Sequence, residues 1–173
     1  MTCSAFFRDI RGSAAAEMAL VLPLLGFIFI NVADFSLYLY SKMQVDLAAQ
    51  EAVGAARVLC DTAAELPATT SCATLTTKML AAAQTTSLGS NVTIGAPSEA
   101  YYCANSAAEL TQVAAIGTSV PATCAGTIAT STAKPGDYIS VTASYPFSSV
   151  FPGASVAAIL PATIQRTAWL RLQ

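Results

Sequence analysis

One stretch near the N-terminus decides the class of this chain. It reads Arg11-Gly12-Ser13-Ala14-Ala15-Ala16-Glu17-Met18-Ala19-Leu20-Val21-Leu22-Pro23-Leu24-Leu25-Gly26-Phe27-Ile28-Phe29-Ile30-Asn31-Val32-Ala33. No charged residue lies between Glu17 and Asp34. A helix from Ser13 to Ala33 would extend about 31 Å, at roughly 1.5 Å per residue, which is enough to cross the hydrocarbon core of a bilayer. A carboxylate in that setting is costly unless it has a partner, so Glu17 is a candidate functional residue.

The flanking charges predict the orientation of this segment. Arg8 and Arg11 precede it, whereas Asp34 is the first charged residue after it. The positive-inside rule therefore places residues 1–12 in the cytoplasm and the chain after about residue 35 outside. An ordinary secretory signal peptide is the alternative, but its apolar region is shorter and is followed by an Ala-x-Ala type of cleavage site. We therefore expect a retained membrane helix.

A glycine followed five residues later by a glutamate, at the head of a hydrophobic helix, resembles the type IV pilin-like signal. Here these residues are Gly12 and Glu17. The longer string Arg11–Leu25, with the Ala-rich stretch Gln44–Arg57, more narrowly resembles the TadE-like family. The motifs cover residues 8–57, about a third of the chain. The related TadF-like group shares these features, so the choice between the two groups stays open.

The resemblance implies a pilin-like component of the bacterial tight-adherence (Flp) pilus. In such proteins a membrane prepilin peptidase cuts after the glycine, here Gly12, so that Ser13 becomes the new N-terminus. Glycine has no side chain, so a membrane protease can bind the local backbone closely without a Cβ clash. The glutamate, here Glu17, is thought to pair with the terminal amine of a neighbouring subunit, because a buried charge pair tolerates a low dielectric better than either charge alone. The alternative is that Glu17 reaches the headgroups from an uncleaved anchor.

The apolar helix contains Pro23 and Gly26, and we expect a kink or local loosening there. Both residue types are also simply common in transmembrane helices, which is the alternative explanation. No proline occurs between Asp34 and Leu66, so the helix is expected to continue to about Leu66. Its apolar positions are expected to face a domain or neighbouring helices; they are Leu39, Met43, Leu47, Ala52, Ala55, Ala56 and Leu59.

Composition limits the functions open to the chain. Of its 173 residues, 54% are hydrophobic and only 10% are charged, with a net charge of −2 and no histidine. Nucleic-acid binding would require a basic patch, and none occurs after Arg11. Without histidine the commonest general base and metal ligand are missing. We therefore expect neither an enzyme nor a metal or cofactor protein, and we expect Glu99, Glu109 and Asp137 to be solvated surface charges.

Cysteine usage indicates export to an oxidising compartment. Cys3 would leave with the leader, and an even number of cysteines would remain, namely Cys60, Cys72, Cys103 and Cys124. None forms a C-x-x-C motif, so disulfides are more plausible than a zinc site. Three connectivities exist. The pairs Cys60–Cys72 and Cys103–Cys124 are favoured because both close short loops, although spacing alone does not prove them.

The remainder predicts a small α+β domain. The patterns indicate a helix capped by Ser71 and running over residues 74–84, a loop over residues 105–134 with one short helix near Ala107–Val113, and strands at Asn91–Ile94, Glu99–Cys103, Asp137–Tyr145 and Ile164–Leu172. Residues 146–153 form an apolar loop that could be part of a partner surface or a lid on the core. The expected fold is therefore type IV pilin-like, with a long N-terminal helix, half in the membrane and half periplasmic, packed on a small antiparallel sheet.

Three regions follow: a cytoplasmic leader (1–12), a transmembrane and assembly helix (13–34), and a periplasmic or extracellular domain (35–173). The implied location is the bacterial inner membrane, crossed once, with the extracellular pilus as an alternative. The implied partners are the prepilin peptidase, other pilin or minor-pilin subunits, the inner-membrane pilus assembly platform and membrane lipid. The chief alternative function is an uncleaved single-pass scaffold of a pilus or secretion machine.

Overall fold

The longest element of the computed structural model is a helix, α1 (Ile10–Leu59). The structure describes residues 10–60, 62, 64–105, 107, 109–127 and 132–173. Alanine, leucine and methionine favour the helical backbone of α1, and Pro23 lies inside it. The helix ends at Leu59 rather than near Leu66 as predicted. The next residue, Cys60, is joined by a disulfide to Cys72.

The chain divides into two compact units, and α1 contributes to both. The first unit contains the helix as far as Tyr40 together with Phe147–Ala162, which we call the docked loop. The second unit contains Ser41–Pro146 and Thr163–Gln173. The apolar span predicted from the sequence thus belongs to the first unit, and the sheet belongs to the second.

The second unit is built on a five-stranded antiparallel sheet. Its strands are β1 (Thr93–Ile94), β2 (Ser98–Ala104), β3 (Leu110–Ala115), β4 (Gly136–Pro146) and β5 (Thr163–Arg171). The central strand is β4, which pairs with β5 along Tyr138–Pro146 on one edge. Its other edge pairs with β2 and, further along, with β1, while β3 pairs with β2. Two helices precede the sheet, α2 (Ala68–Ser71) and α3 (Leu75–Ala83).

The core of the second unit lies between the sheet and the later half of α1. The buried residues of α1 are mostly small: Val45, Ala48, Ala49, Ala52, Val53 and Ala56. Facing strands contribute Ile139, Val141, Ala143 and Ile164. The predicted α+β arrangement of a long helix packed on a small antiparallel sheet is therefore confirmed.

The predicted buried face of α1 was partly wrong. Ala52 and Ala56 are buried as expected, but Met43 is 60% exposed and Leu39 and Leu47 are also exposed. The prediction assumed that the large apolar residues of α1 face the core. In this helix the alanines fill the contact with the sheet, and the larger side chains are left on the outside.

Two predicted elements after α1 also need correction. The short helix expected near Ala107–Val113 is absent from the described part of that segment, which instead forms β3, because β2 offers it a strand to pair with. The helix α3 begins at Leu75, after Thr74 at a positive φ of 65°, and Ser71 ends α2 rather than capping α3. The strands predicted at Asp137–Tyr145 and Ile164–Leu172 are confirmed as β4 and β5.

Replacing Ala52 by leucine should destabilise the second unit. Ala52 is fully buried, so added methylenes must displace the sheet, at a cost of about 1–3 kcal/mol. We expect Ala52→Leu to lower the melting temperature of the full chain in detergent micelles. Glu51→Leu places the same side chain at an exposed neighbouring position and should have little effect. Equal melting temperatures for Ala52→Leu and the parent chain would contradict this packing.

Candidate functional site on the apolar helix

The predicted processing site lies in the first turns of α1. The backbone at Gly12 and Ser13 is helical. Most of the leader, including Arg8 and Cys3, lies outside the described residues, as do the side chains at 10–14. Glu17 follows on the same helix, and its side chain is exposed in the isolated chain. Residue 17 is one helical turn beyond Ser13, about 6 Å along the axis at roughly 1.5 Å per residue.

The helix beyond Glu17 presents apolar side chains to its surroundings. Leu20 is 80% exposed and Phe29 is 69% exposed, and most neighbours between them are exposed as well. Of the helices that the structure describes, α1 alone is long and apolar enough to cross a membrane. Side chains of this kind are stable when lipid or other apolar helices cover them, so a single membrane-spanning helix is compatible with the structure.

Pro23 and Gly26 lie within this exposed stretch. The helix continues through Pro23 without a break in its assigned span. A Cβ added at Gly26 would meet no atom within 4 Å, so nothing inside the chain requires glycine there. The predicted kink at these two residues stays a prediction. The open space at Gly26 is consistent with close approach of a second helix.

At the other end of the apolar stretch, Asp34 is fully buried in the first unit. Its carboxylate accepts hydrogen bonds from two consecutive backbone amides of the docked loop, Val150 N at 2.9 Å and Phe151 N at 3.2 Å. One turn earlier, the Asn31 side chain accepts from Val156 N at 2.8 Å. One turn later, the Tyr38 ring packs edge-on against Phe147, with centroids 5.1 Å apart. The loop is therefore fastened to one face of the helix over two turns.

Sequence reasoning missed this arrangement. From the sequence, Asp34 is only the charge that ends the apolar run, and the apolar loop of residues 146–153 is a candidate partner surface or lid on the core, with no predicted contact to the helix. The available signal was the spacing of Asn31, Asp34 and Tyr38, which places three residues able to make polar or aromatic contacts on one helical face. Their partners lie more than a hundred residues later in the chain, so no local pattern could reveal them.

The four cysteines after residue 59 are paired. Cys60 is bonded to Cys72 and Cys103 to Cys124, with Cα atoms 6.1 Å and 5.8 Å apart. These are the pairs that the short-loop argument favoured. The first joins the end of α1 to the segment after α2, and the second joins β2 to a 3-10 turn at Cys124–Gly126. Disulfides persist in oxidising compartments, which agrees with a domain outside the cytoplasm.

Comparison with protein families shows which family the apolar helix is similar to. Its residues 12–53 match the family model described as TadE-like protein. The match begins at the predicted cleavage residue and runs through most of α1, so it confirms the resemblance predicted from the sequence and associates the chain with the tight-adherence pilus system. It covers less than half of the chain. None of the curated proteins or solved structures matches it.

Outside the TadE-like segment, two acidic residues come together on the sheet. The strand register places Asp137 opposite Tyr101 and Ile139 opposite Glu99, so both carboxyl groups project from the same face. Both are buried, which contradicts their expected role as surface charges. Glu109 is exposed as expected, and its carboxylate accepts a hydrogen bond from Asn105.

Glu99 has a structural role in this pair. Its carboxylate accepts hydrogen bonds from Ala68 N at 2.8 Å, Thr69 N at 2.7 Å and the Thr69 hydroxyl at 2.6 Å, which fastens α2 to the sheet. Asp137 Oδ1 is buried without a hydrogen-bond partner among the described residues. Burial, the charge of Glu99 and a side-chain hydrogen bond to Glu99 raise the pKa of Asp137 to about 7. The surroundings of Asp137 therefore favour its protonated form up to about neutral pH.

The raised pKa of Asp137 predicts a pH-dependent stability. The folded state retains a proton that the unfolded chain releases above its ordinary pKa of about 3.9. Stability should therefore fall as pH rises from about 4 through about 7. We expect the melting temperature of the full chain in micelles to be lower at about pH 8 than at about pH 5.

Asp137→Asn, which cannot ionise, should flatten this profile, and Asp46→Asn, at an exposed position of α1, should leave it unchanged. A profile for Asp137→Asn as steep as that of the parent chain would show that another group is responsible.

Proposed function

We propose that this chain is a minor pilin or pseudopilin-like subunit of the tight-adherence pilus system, cut after Gly12 and assembled through α1. The observation that carries the proposal is the coincidence of two features in one element. The TadE-like match begins at Gly12, and the same helix exposes an apolar surface that the chain itself leaves uncovered beyond Glu17. A surface of this kind is suited both to lipid before assembly and to neighbouring helices afterwards.

Glu17 is proposed to set the register between subunits. After cleavage, Ser13 would carry a free amine, which is positive at neutral pH. In an environment from which water is excluded, the amine of one subunit and the Glu17 carboxylate of its neighbour stabilise each other, whereas either charge alone is costly. The exposure of Glu17 leaves its side chain accessible to a second subunit. The partners in this scheme are a prepilin peptidase, other pilin or minor-pilin subunits and the inner-membrane assembly platform.

An uncleaved single-pass scaffold is the second candidate, and it differs in what it requires of Gly12. A scaffold needs only the apolar span, so its function is insensitive to the residue at position 12. A processed subunit needs glycine, because a backbone without a side chain can approach the peptidase more closely than any other residue allows. The proposed location is the same in both cases, a helix in the inner membrane with the disulfide-bonded domain in the periplasm.

The cleavage is tested by intact-mass measurement of the full chain from cells that contain an active prepilin peptidase. We expect a mature chain that begins at Ser13. We expect Gly12→Val to retain the leader and Gly54→Val, a matched glycine of the same helix whose Cβ position is open, to be processed normally. Recovery of the parent chain with residues 1–12 still attached would contradict the proposal and favour the scaffold.

The role of Glu17 is tested by pilus yield. We expect Glu17→Ala to be inserted in the membrane and cleaved normally, yet to reduce pilus assembly by about a hundredfold or more, as expected when loss of one buried partner costs about 3–5 kcal/mol. Glu51→Ala removes an exposed carboxylate from the later half of α1 and should assemble normally. Normal pilus yield with Glu17→Ala would exclude the pairing even if cleavage occurs.

A further inference from the structure

We propose that the docked loop (Phe147–Ala162) is a second membrane contact, seated in the outer leaflet of the bilayer that α1 spans. The occupant of its exposed apolar surface is therefore lipid. The inference rests on the membrane-spanning role of α1 in the proposed function, but not on cleavage at Gly12.

The first argument is depth. The residues that hold the loop are Asn31, Asp34 and Tyr38, at the outer end of the apolar stretch. Asp34 lies about 26 Å beyond Glu17 along the helix, at roughly 1.5 Å per residue, and the hydrocarbon core is about 30 Å thick. If Glu17 lies near the inner headgroups, the loop is attached at the outer boundary of the hydrocarbon. A loop fixed at that level meets lipid as soon as the helix is inserted.

The second argument is the chemistry of the loop surface. Residues 147–162 include no Asp, Glu, Lys or Arg. Four of its large apolar side chains are nevertheless exposed: Ile159 is 86% exposed, and Val150, Phe151 and Val156 are exposed as well. A soluble surface normally surrounds such residues with charges, whereas a contiguous apolar patch marks a protein or membrane contact. Continuity with the lipid-facing surface of α1 favours the membrane.

The third argument is the backbone of the loop. Irregular chain is tolerated at membrane depth only where its polar groups are satisfied within the protein. Most amides of the docked loop meet this condition. The helix side chains accept from Val150, Phe151 and Val156. Acceptors within the loop bind the amides of Phe147, Ala154, Ser155, Ala157, Ala158 and Leu160. Pro152 and Pro161 have no amide hydrogen to satisfy.

These features also explain why an acid is present at position 34. A carboxylate at the edge of the hydrocarbon is costly unless hydrogen bonds compensate it. The amides of Val150 and Phe151 donate those hydrogen bonds to the carboxylate, and the carboxylate in turn gives each amide the acceptor that it needs. One buried side chain thus satisfies two loop amides and fastens the loop at the level where its apolar residues enter lipid.

The test is depth-dependent quenching of single tryptophans in the full chain, reconstituted in phosphatidylcholine vesicles that contain lipids brominated near the ester or deep in the acyl chain. The natural Trp169 is first replaced by phenylalanine, which keeps an aromatic ring beside Tyr102. Probes are then placed by Phe151→Trp and, at the most exposed loop position, Ile159→Trp. Phe27→Trp, about 15 Å beyond Glu17 and so near the bilayer centre, reports the anchor. Val120→Trp, at an exposed position of the second unit, is the control.

We expect the loop probes to have blue-shifted emission and to be quenched more strongly by shallow than by deep bromines. Phe27→Trp should show the reverse preference, and Val120→Trp should be quenched little by either. Unquenched loop probes beside a quenched Phe27→Trp would overturn the loop proposal while leaving the anchor intact; this includes the outcome in which a second copy of the chain shields the loop. An unquenched Phe27→Trp would overturn the membrane anchor and the loop proposal with it. Quenching of Val120→Trp equal to that of the loop probes would also overturn it.

Discussion

The hydrogen bonds between the Asp34 carboxylate and the amides of Val150 and Phe151 are the constraint on which the first unit depends. They join residues that are more than a hundred positions apart, and they do so at the end of an uncharged helical stretch. Charge-assisted bonds to a buried carboxylate are stronger than neutral ones, and they become stronger still where water is excluded. Without them the carboxylate and the two amides would each need another hydrogen-bond partner.

The uncharged stretch of α1 thus has an acidic residue at each end, and the two residues differ in burial and in hydrogen bonding. Asp34 is buried and bonded within its own chain, so its role is to hold the docked loop. Glu17 is exposed, and the proposed function gives it the amine of a neighbouring subunit. In the proposed function both carboxylates lie in or beside lipid, where a charge is costly. The bonds of Asp34 lie within the chain and hold the loop, whereas the proposed pairing of Glu17 is between subunits and would define an assembly.

The sequence predicted the α+β class, the presence of an apolar N-terminal helix and the two longest strands, because these depend on local composition and periodicity. The resemblance to the TadE-like family rests instead on the motifs of the N-terminal segment, over which the family model matches. It did not predict which face of α1 packs on the sheet, because alanines such as Ala48 and Ala49 fill the contact while Met43 and Leu47 are left outside. It missed β3 because that strand depends on its partner β2. It missed the burial of Glu99 and Asp137 and the attachment of the docked loop for the same reason, since each is created by residues distant in sequence.

The most direct test of this account is hydrogen–deuterium exchange at the amides of Val150 and Phe151, measured on the full chain in phosphatidylcholine nanodiscs. The account predicts slow exchange at both amides and a large acceleration in Asp34→Ala, with the amide of Ala143 in β4 unaffected by the substitution. Rapid exchange at Val150 and Phe151 in the parent chain, or the same slow exchange in Asp34→Ala, would contradict it.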